Sequence, residues 1–205
     1  MLFSVIIVNY KVAPWLEQCL LSLRLAARQQ ACEVIVVDNA SNDESVALPA
    51  LFPEVRFIWL DENKGFGEAC NAGAREARGE WLLFLNPDTL VVPALLRGMA
   101  GFIATHPQTG AVGVRMVDGR GRFLPESKRG MPYPFAVFFR MSGLSRLFPR
   151  NRLINHYYQG QLDPHKTWPV DVLAGACMAV RRTVFEKLGG FDEAFFMYGE
   201  DIDLS

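Results

Sequence analysis

Apolar residues along the first ninety positions come in short runs separated by polar turns, and the runs alternate between two kinds of spacing. Phe3 to Val8 is almost wholly apolar and rich in β-branched side chains, which predicts a strand buried on both faces. Pro14 opens a stretch with Trp15, Leu16, Cys19, Leu20 and Leu23 at helical spacing, the proline standing where the first turn tolerates it. EVIVVD, ending at Asp38, reads as a second buried strand, and VRFIWL, ending at Leu60, as a third. A glycine-bearing loop then leads into an alanine-rich helix that Gly79 is expected to close. WLLFLN is a fourth strand, with NPDT at its carboxyl end.

Strand and helix alternating in this way predict parallel βαβ units, hence an α/β fold with a mostly parallel central sheet flanked by helices. Ligands of such sheets bind beyond the carboxyl ends of the strands, where Asn9, Asp38 and Asp88 all fall. Past Gly110 the pattern loosens. AVGVRMV suggests one more strand, Gly119 to Pro164 is irregular, and DVLAGACMAVRR followed by TVFEKLGG predicts a strand and a short helix closed by glycines.

Length and composition narrow the function. The 205 residues suffice for one domain with a substantial core. A net charge of −1 speaks against a general nucleic-acid binder. Cys19, Cys32, Cys70 and Cys177 form no CxxC pair and read as buried reduced thiols. His106, His156 and His165 are too scattered to suggest a histidine metal site. No apolar stretch reaches the length of a bilayer span and no secretory leader is visible, so a cytoplasmic protein is expected.

GFGEAC nearly matches a dinucleotide fingerprint, but it follows the third strand. That fingerprint belongs in the turn after the first strand, which here reads NYKVAPW without glycine. A nucleotidyltransferase would need a basic, glycine-rich loop at the same place. Asp38 and Asp88 offer another arrangement, one carboxylate for a nucleoside and one for a divalent cation shared with a diphosphate. Magnesium commonly takes only one or two protein carboxylates. Either aspartate alone is as readily a turn former; the pair at equivalent strand ends favours a site. The chain ends on FFMYGEDIDLS, where Glu200, Asp201 and Asp203 crowd beside Phe195, Phe196 and Tyr198. Such a cluster is either a solvated turn or a base set in an apolar wall.

SVIIVNY, EVIVVDNASND, ENKGFGEACNAGAREARGEWLLFLNPDT, LAGACMAVRR and GGFDEAFFMYGEDIDLS occur in the order and spacing of the inverting family 2 glycosyltransferases, and the chain resembles that family over nearly its whole length. Among its members it is most similar to bacterial rhamnosyltransferases. The resemblance implies the GT-A nucleotide-diphospho-sugar transferase fold, a single domain over 1–205. Its nucleotide-sugar-binding half would be 1–112, and its acceptor-side half, 113–205, would carry the base motif. It implies transfer of a sugar, rhamnose from dTDP-rhamnose, to a glycan or lipid-linked acceptor in surface polysaccharide synthesis. The alternatives are a UDP-hexose donor or a domain that binds sugar nucleotide without turnover.

By the same resemblance Asn9, Tyr10, Asp38, Asn63, Gly65, Gly67, Asn86 and Asp88 bind the nucleotide sugar, with Asn71 a lesser candidate. Asp88 holds Mg2+ or Mn2+ and is the last residue of the family's DxD. Here that motif reads Asn86-Pro87-Asp88, an amide replacing the first carboxylate. Asp201 is the general base, crowded by Glu200, Asp203 and the neighbouring aromatics, and Glu200 orients the acceptor. Family members continue past this point, so a shortened chain is expected.

One basic stretch stands apart. Between Ser127 and Leu162 there is no acidic residue, while Lys128, Arg129, Arg140, Arg146, Arg150 and Arg152 alternate with aromatics. Residues 128–152 either meet anionic lipid at the inner face of the plasma membrane or pack FAVFF into the core with the arginines in water.

Overall fold

The computed structural model describes every residue except Pro149, Arg150 and Arg152 and the side chains of Arg140 and Arg146. The chain forms two compact units, Met1–Val112 with Gly175–Leu204, and Gly113–Ala174 with Ser205. The elements run β1 (Phe3–Asn9), α1 (Ala13–Ala27), β2 (Cys32–Asp38), α2 (Leu48–Leu51), β3 (Arg56–Trp59), α3 (Phe66–Glu76), β4 (Trp81–Leu85), α4 (Leu95–Thr105) and β5 (Ala111–Gly113). The chain then forms β6 (Lys128–Arg129), α5 (Pro134–Met141), α6 (Leu144–Leu147) and β7 (Val172–Leu173). It continues with β8 (Cys177–Arg181), α7 (Arg182–Leu188) and α8 (Glu200–Leu204).

Six strands make one sheet in the order β3-β2-β1-β4-β8-β5. The β3-β2-β1-β4 portion is parallel, and β8 runs antiparallel to β4 with Leu85 opposite Cys177. Every side chain of β1 and β4 is buried, as the uninterrupted apolar runs required. On α1, Ala13, Leu16, Cys19, Leu20, Leu23 and Ala26 turn inward, whereas Trp15 is 56% exposed. α3 packs closely on the sheet because Gly73 has no Cβ; one there would lie 2.6 Å from Ile6 Cγ2. Phe84, Phe185 and Phe191 form an aromatic cluster with centroids 4.8 to 5.5 Å apart, worth about 0.5–1.5 kcal/mol per pair beyond area burial.

Three sequence expectations change. Gly79 does not close α3, which ends at Glu76. It lets the chain pass β1 instead, since a Cβ would sit 2.5 Å from Ser4 N. DVLAGACMAVRR is two strands, because the chain turns at Gly175–Ala176: β7 pairs antiparallel with β6 and β8 joins the main sheet. AVGVRMV is strand only over Ala111–Gly113. Gly175–Leu204 forms one compact unit with Met1–Val112, where β8 completes the same sheet.

In the second unit Phe138 is 62% and Met141 83% exposed, and Leu147 and Phe148 are also exposed, so FAVFF is not core as a block. Lys128 is buried, its ammonium donating to the Gln159 and Leu162 carbonyls at 2.6 and 3.0 Å. Arg129 donates to Leu173 O at 3.0 Å. Both therefore leave the basic surface expected over 128–152. Arg150 and Arg152, and the side chains of Arg140 and Arg146, lie outside the described residues. Among the described residues no helix is long and apolar enough to cross a membrane.

Candidate active site

The polar residues at the carboxyl ends of β1 and β2 are locked together before any ligand arrives. Asn9 and Asp38 are register partners, and Asn9 Nδ2 donates to Asp38 Oδ2 at 2.6 Å and to Ser41 Oγ at 3.0 Å. Asp38 also accepts the Ser41 backbone N–H at 2.8 Å and the Ser45 hydroxyl at 3.1 Å. This carboxylate is 3% exposed and holds three protein donors, which is how a buried charge is kept. Its visible work is to fix the turn after β2 against the end of β1. Tyr10 and Lys11 follow at the rim. Tyr10 is 39% exposed, and the Asn63 amide, with Lys11 second, pulls its phenol below the usual range.

The loop ahead of α3 is tied to the same turn. Asn39 Nδ2 donates to Asn63 Oδ1 at 2.8 Å and to Gly65 O at 3.0 Å, and Asn39 Oδ1 accepts Lys64 N–H at 2.9 Å. Gly65 has φ +84, and a Cβ there would run into Phe196 O. Next to it, Phe66 N–H donates to that same carbonyl at 3.0 Å. Glycine is thus demanded twice, by the dihedral and by the close approach. Gly67 is buried too, with Phe191 Cβ 3.3 Å from where its own Cβ would be.

Asn71, a lesser candidate for the nucleotide, proves to be a clamp. It donates to Phe191 O and accepts Phe191 N–H, both at 2.9 Å, and donates to Glu193 Oε1 at 3.1 Å. The segment before Glu200 is thereby hung on α3.

At the end of β4, Asn86 N–H donates to Ala176 O at 3.0 Å and Asn86 O accepts Thr89 N–H at 3.2 Å, so Asn86-Pro87-Asp88 is a held turn with Asp88 exposed. The neighbouring residue of that partner, Gly175, donates its N–H to Asp201 Oδ2 at 3.1 Å. The Asp201 Cβ lies 3.2 Å from the position a Gly175 Cβ would take. Two backbone contacts therefore link the Asp88 turn to Asp201. Beneath it, burial, with Asp88 and Cys177 adding, pushes the Cys19 thiol up to about 12.

The structure joins Asn9, Asp38, Asn63 and Gly65 through hydrogen bonds, with Tyr10 beside Asn63, and sets Asn86 and Asp201 on the neighbouring residues Ala176 and Gly175. The aromatics expected beside Asp201 are themselves largely exposed, Phe196 at 57% and Tyr198 at 81%. Of the carboxylate pair it is Glu200 that is buried, at 8%. Among the described residues no three His, Cys, Asp or Glu side chains cluster as a metal site. Asp88 with Asn86 suits a cation that draws most of its ligands from a diphosphate and water. Sequence reasoning passed over Asn39, Ser41 and Ser45; the NASND turn contains two of them, but any polar turn looks alike.

The family model for glycosyl transferase family 2 matches residues 4–189. The N-acetylglucosaminyl-diphospho-decaprenol L-rhamnosyltransferase of Mycobacterium tuberculosis (strain ATCC 25618 / H37Rv) is 33% identical over 213 residues, covering 98% of this chain and 68% of the relative. Among solved structures, S. aureus TarS 1-349 in complex with UDP-GlcNAc shares 22% identity at TM-score 0.65, over 98% of this chain and 51% of that one. The mannosyltransferase PcManGT from Pyrobaculum calidifontis, in complex with GDP-Man and Mn2+, shares 24% at TM-score 0.66, over 98% and 49%. This chain thus spans about two thirds of the curated relative and about half of the two solved ones, whose likeness establishes the GT-A fold.

Proposed function

The chain belongs to glycosyl transferase family 2, and from that membership we propose that it transfers a sugar, rhamnose from dTDP-rhamnose, with inversion, to a glycan or lipid-linked saccharide. The observation that carries the proposal is the gathering of the Asn9–Asp38 pair, the Asn63–Gly67 loop, the Asn86–Asp88 turn and Asp201 around the carboxyl ends of β1, β2 and β4. The choice of rhamnose rests on the mycobacterial relative's name, and its acceptor suggests a polyprenyl-diphosphate-linked sugar here.

In this reading Asp38 acts through the turn it holds, leaving Tyr10, Asn63 and the backbone around Gly65 and Gly67 to face the nucleoside. Asp88, helped by the Asn86 amide, would hold Mg2+ or Mn2+, which supplies charge neutralisation at the leaving diphosphate. Asp201 accepts the acceptor hydroxyl's proton as that oxygen attacks the anomeric carbon. The Gly175 N–H aims its carboxylate, and Glu200 orients the acceptor.

The test is a thermal-shift panel of dTDP-rhamnose, UDP-N-acetylglucosamine and GDP-mannose, with and without Mg2+ or Mn2+, repeated on Asp88→Ala. A ligand at about a hundred times its Kd adds about 2.7 kcal/mol, a rise of roughly 5–10 °C for a chain of this size. A metal-dependent rise with dTDP-rhamnose that disappears in Asp88→Ala supports the reading. A rise with UDP-N-acetylglucosamine alone transfers it to a UDP-hexose donor, and a flat panel refutes nucleotide-sugar binding by this chain. We also propose peripheral contact with anionic lipid through the exposed Phe138, Met141, Leu147 and Phe148; equal sedimentation with anionic and neutral vesicles would refute its electrostatic part.

A further inference from the structure

The second unit contains a cavity of about 420 Å³ that sugar transfer as described leaves unused, lined by His156, Gln159, Gln161, Leu162, Pro169 and Asp171. Two polar atoms of these residues, Gln159 Oε1 and His156 Nδ1, are buried and find no hydrogen-bond partner among the described residues. Gln159 is 8% exposed, and its backbone sits at φ +45, in the left-handed region that side chains other than glycine seldom enter. A buried acceptor without a donor is destabilising, and so is such a backbone.

The surroundings nevertheless hold both in place. The Gln159 carbonyl takes the buried Lys128 ammonium at 2.6 Å and Leu162 N–H at 3.0 Å. Burial lowers the Lys128 pKa, so a desolvated charge is committed to this loop. Gly130 N–H donates to Tyr157 O at 2.9 Å. A Cβ on Gly130 would lie 2.6 Å from His156 O and 2.8 Å from His156 Nδ1, so only glycine lets the chain after β6 pass so near. Strain that its neighbours hold in place clusters at ligand clamps, and a buried orphan calls for a partner.

The lining also says which ligand. An amide oxygen accepts only, and Asp171 is an acceptor with one oxygen on Met131 N–H at 3.3 Å and the other, among the described residues, left for a donor. A carboxylate in the wall repels anions. Leu162 and Pro169 add apolar surface. Hydroxyl donors around an apolar C–H face are the chemistry of a pyranose ring, and the volume falls among ligand sites of about 300–1,000 Å³. We propose that this cavity binds a neutral saccharide, its hydroxyls donating to Gln159, Gln161 and Asp171.

All six lining residues belong to the second unit, so the proposal stands apart from the nucleotide the first unit takes. The test is NMR of the His156 imidazole in the native chain, Gln159→Gly and Gln161→Ala, without nucleotide. The titrants are the methyl glycosides of glucose, rhamnose and N-acetylglucosamine, with inorganic phosphate as the anionic probe. At least one glycoside should shift the His156 resonances saturably, and phosphate should not. Gln159→Gly removes the orphan and suits φ +45, so it should melt no lower than the native chain yet bind at least tenfold more weakly. Gln161→Ala should melt unchanged and bind more weakly. The proposal is overturned if no glycoside shifts His156, if phosphate shifts it in their place, if either variant binds as the native chain does, or if Gln159→Gly is the less stable protein.

Discussion

Asn71 joins two parts of the chain that sequence reading treats separately, and replacing it shows how much rests on that join. In Asn71→Ala the N–H and C=O of Phe191 each lose their partner while Phe191 itself is 2% exposed. A buried backbone group left unpaired costs about 1–3 kcal/mol, giving about 2–6 kcal/mol for the two. At about 2–4 °C per kcal/mol for a domain of this size, the melting temperature should fall by roughly 5–20 °C. Hydrogen exchange should localise the damage, with the Phe191 amide losing protection first.

Asn71→Asp sharpens the test. The new carboxylate can still accept Phe191 N–H but faces the Phe191 carbonyl and the Glu193 carboxylate. Burial and repulsion both raise its folded-state pKa. A raised folded pKa means the variant is least penalised below the unfolded value of about 3.9 and loses stability as pH rises through the folded pKa. Its deficit against the native chain should therefore be largest near pH 7 and shrink on acidification. Urea unfolding checks both variants. An Asn71→Ala protein within about 0.5 kcal/mol of native, the range of ordinary surface substitutions, would refute the clamp.

Gly65→Ala should lose about 1–3 kcal/mol from its dihedral alone and more from the overlap with Phe196 O, read as a lower melting temperature with a weakened nucleotide response. Asp201→Asn should lower transfer by about 10²–10⁴ while the nucleotide-induced thermal shift persists; full turnover would remove Asp201 as base. Burial raises Cys19 and Cys177 to about 12, Cys32 to about 11 and Cys70 well above its usual value. At pH 8 the thiolate fraction of Cys19 and Cys177 is then about a thousandfold below that of a free thiol. Native protein should therefore resist a thiol-labelling reagent that modifies all four cysteines in denaturant. Because these folded pKa values exceed the unfolded one, the thiols support stability below about pH 9 and withdraw it as pH climbs towards 12; a flat stability curve over that range would contradict this.

The fold was legible where burial on both faces forces a continuous apolar run: β1, β2 and β4 fall where the sequence puts them. It was illegible where a break depends on a distant partner. DVLAGACMAVRR carries only a glycine to mark the break, and the partners that fix the turn there, the Asp201 carboxylate on the Gly175 amide and Asn86 N–H on Ala176 O, are distant in sequence. Lys128 misled for a related cause. A lysine beside an arginine reads as surface, and only the carbonyls of Gln159 and Leu162 turn it inward. In the candidate site, carboxylates at a strand end or in an acidic cluster and a glycine in the loop before a helix stood out in the sequence, Asp38, Asp201 and Gly65 among them. Asn39, Ser41 and Ser45 were not, since polar side chains in a turn look the same whether they hold the turn or merely decorate it.

The antiparallel pairing of β8 with β4 sets a schedule for synthesis. β4 is fully buried in the finished protein, yet its partner strand begins at Cys177 and the whole second unit is made in between. At about 5–20 residues per second, WLLFL leaves the ribosome on the order of ten seconds before that edge can close. An apolar, β-prone edge open for that long invites pairing with another nascent chain. Slowing translation between residues 113 and 174 should therefore raise the aggregated fraction, and a holdase chaperone present during synthesis should lower it.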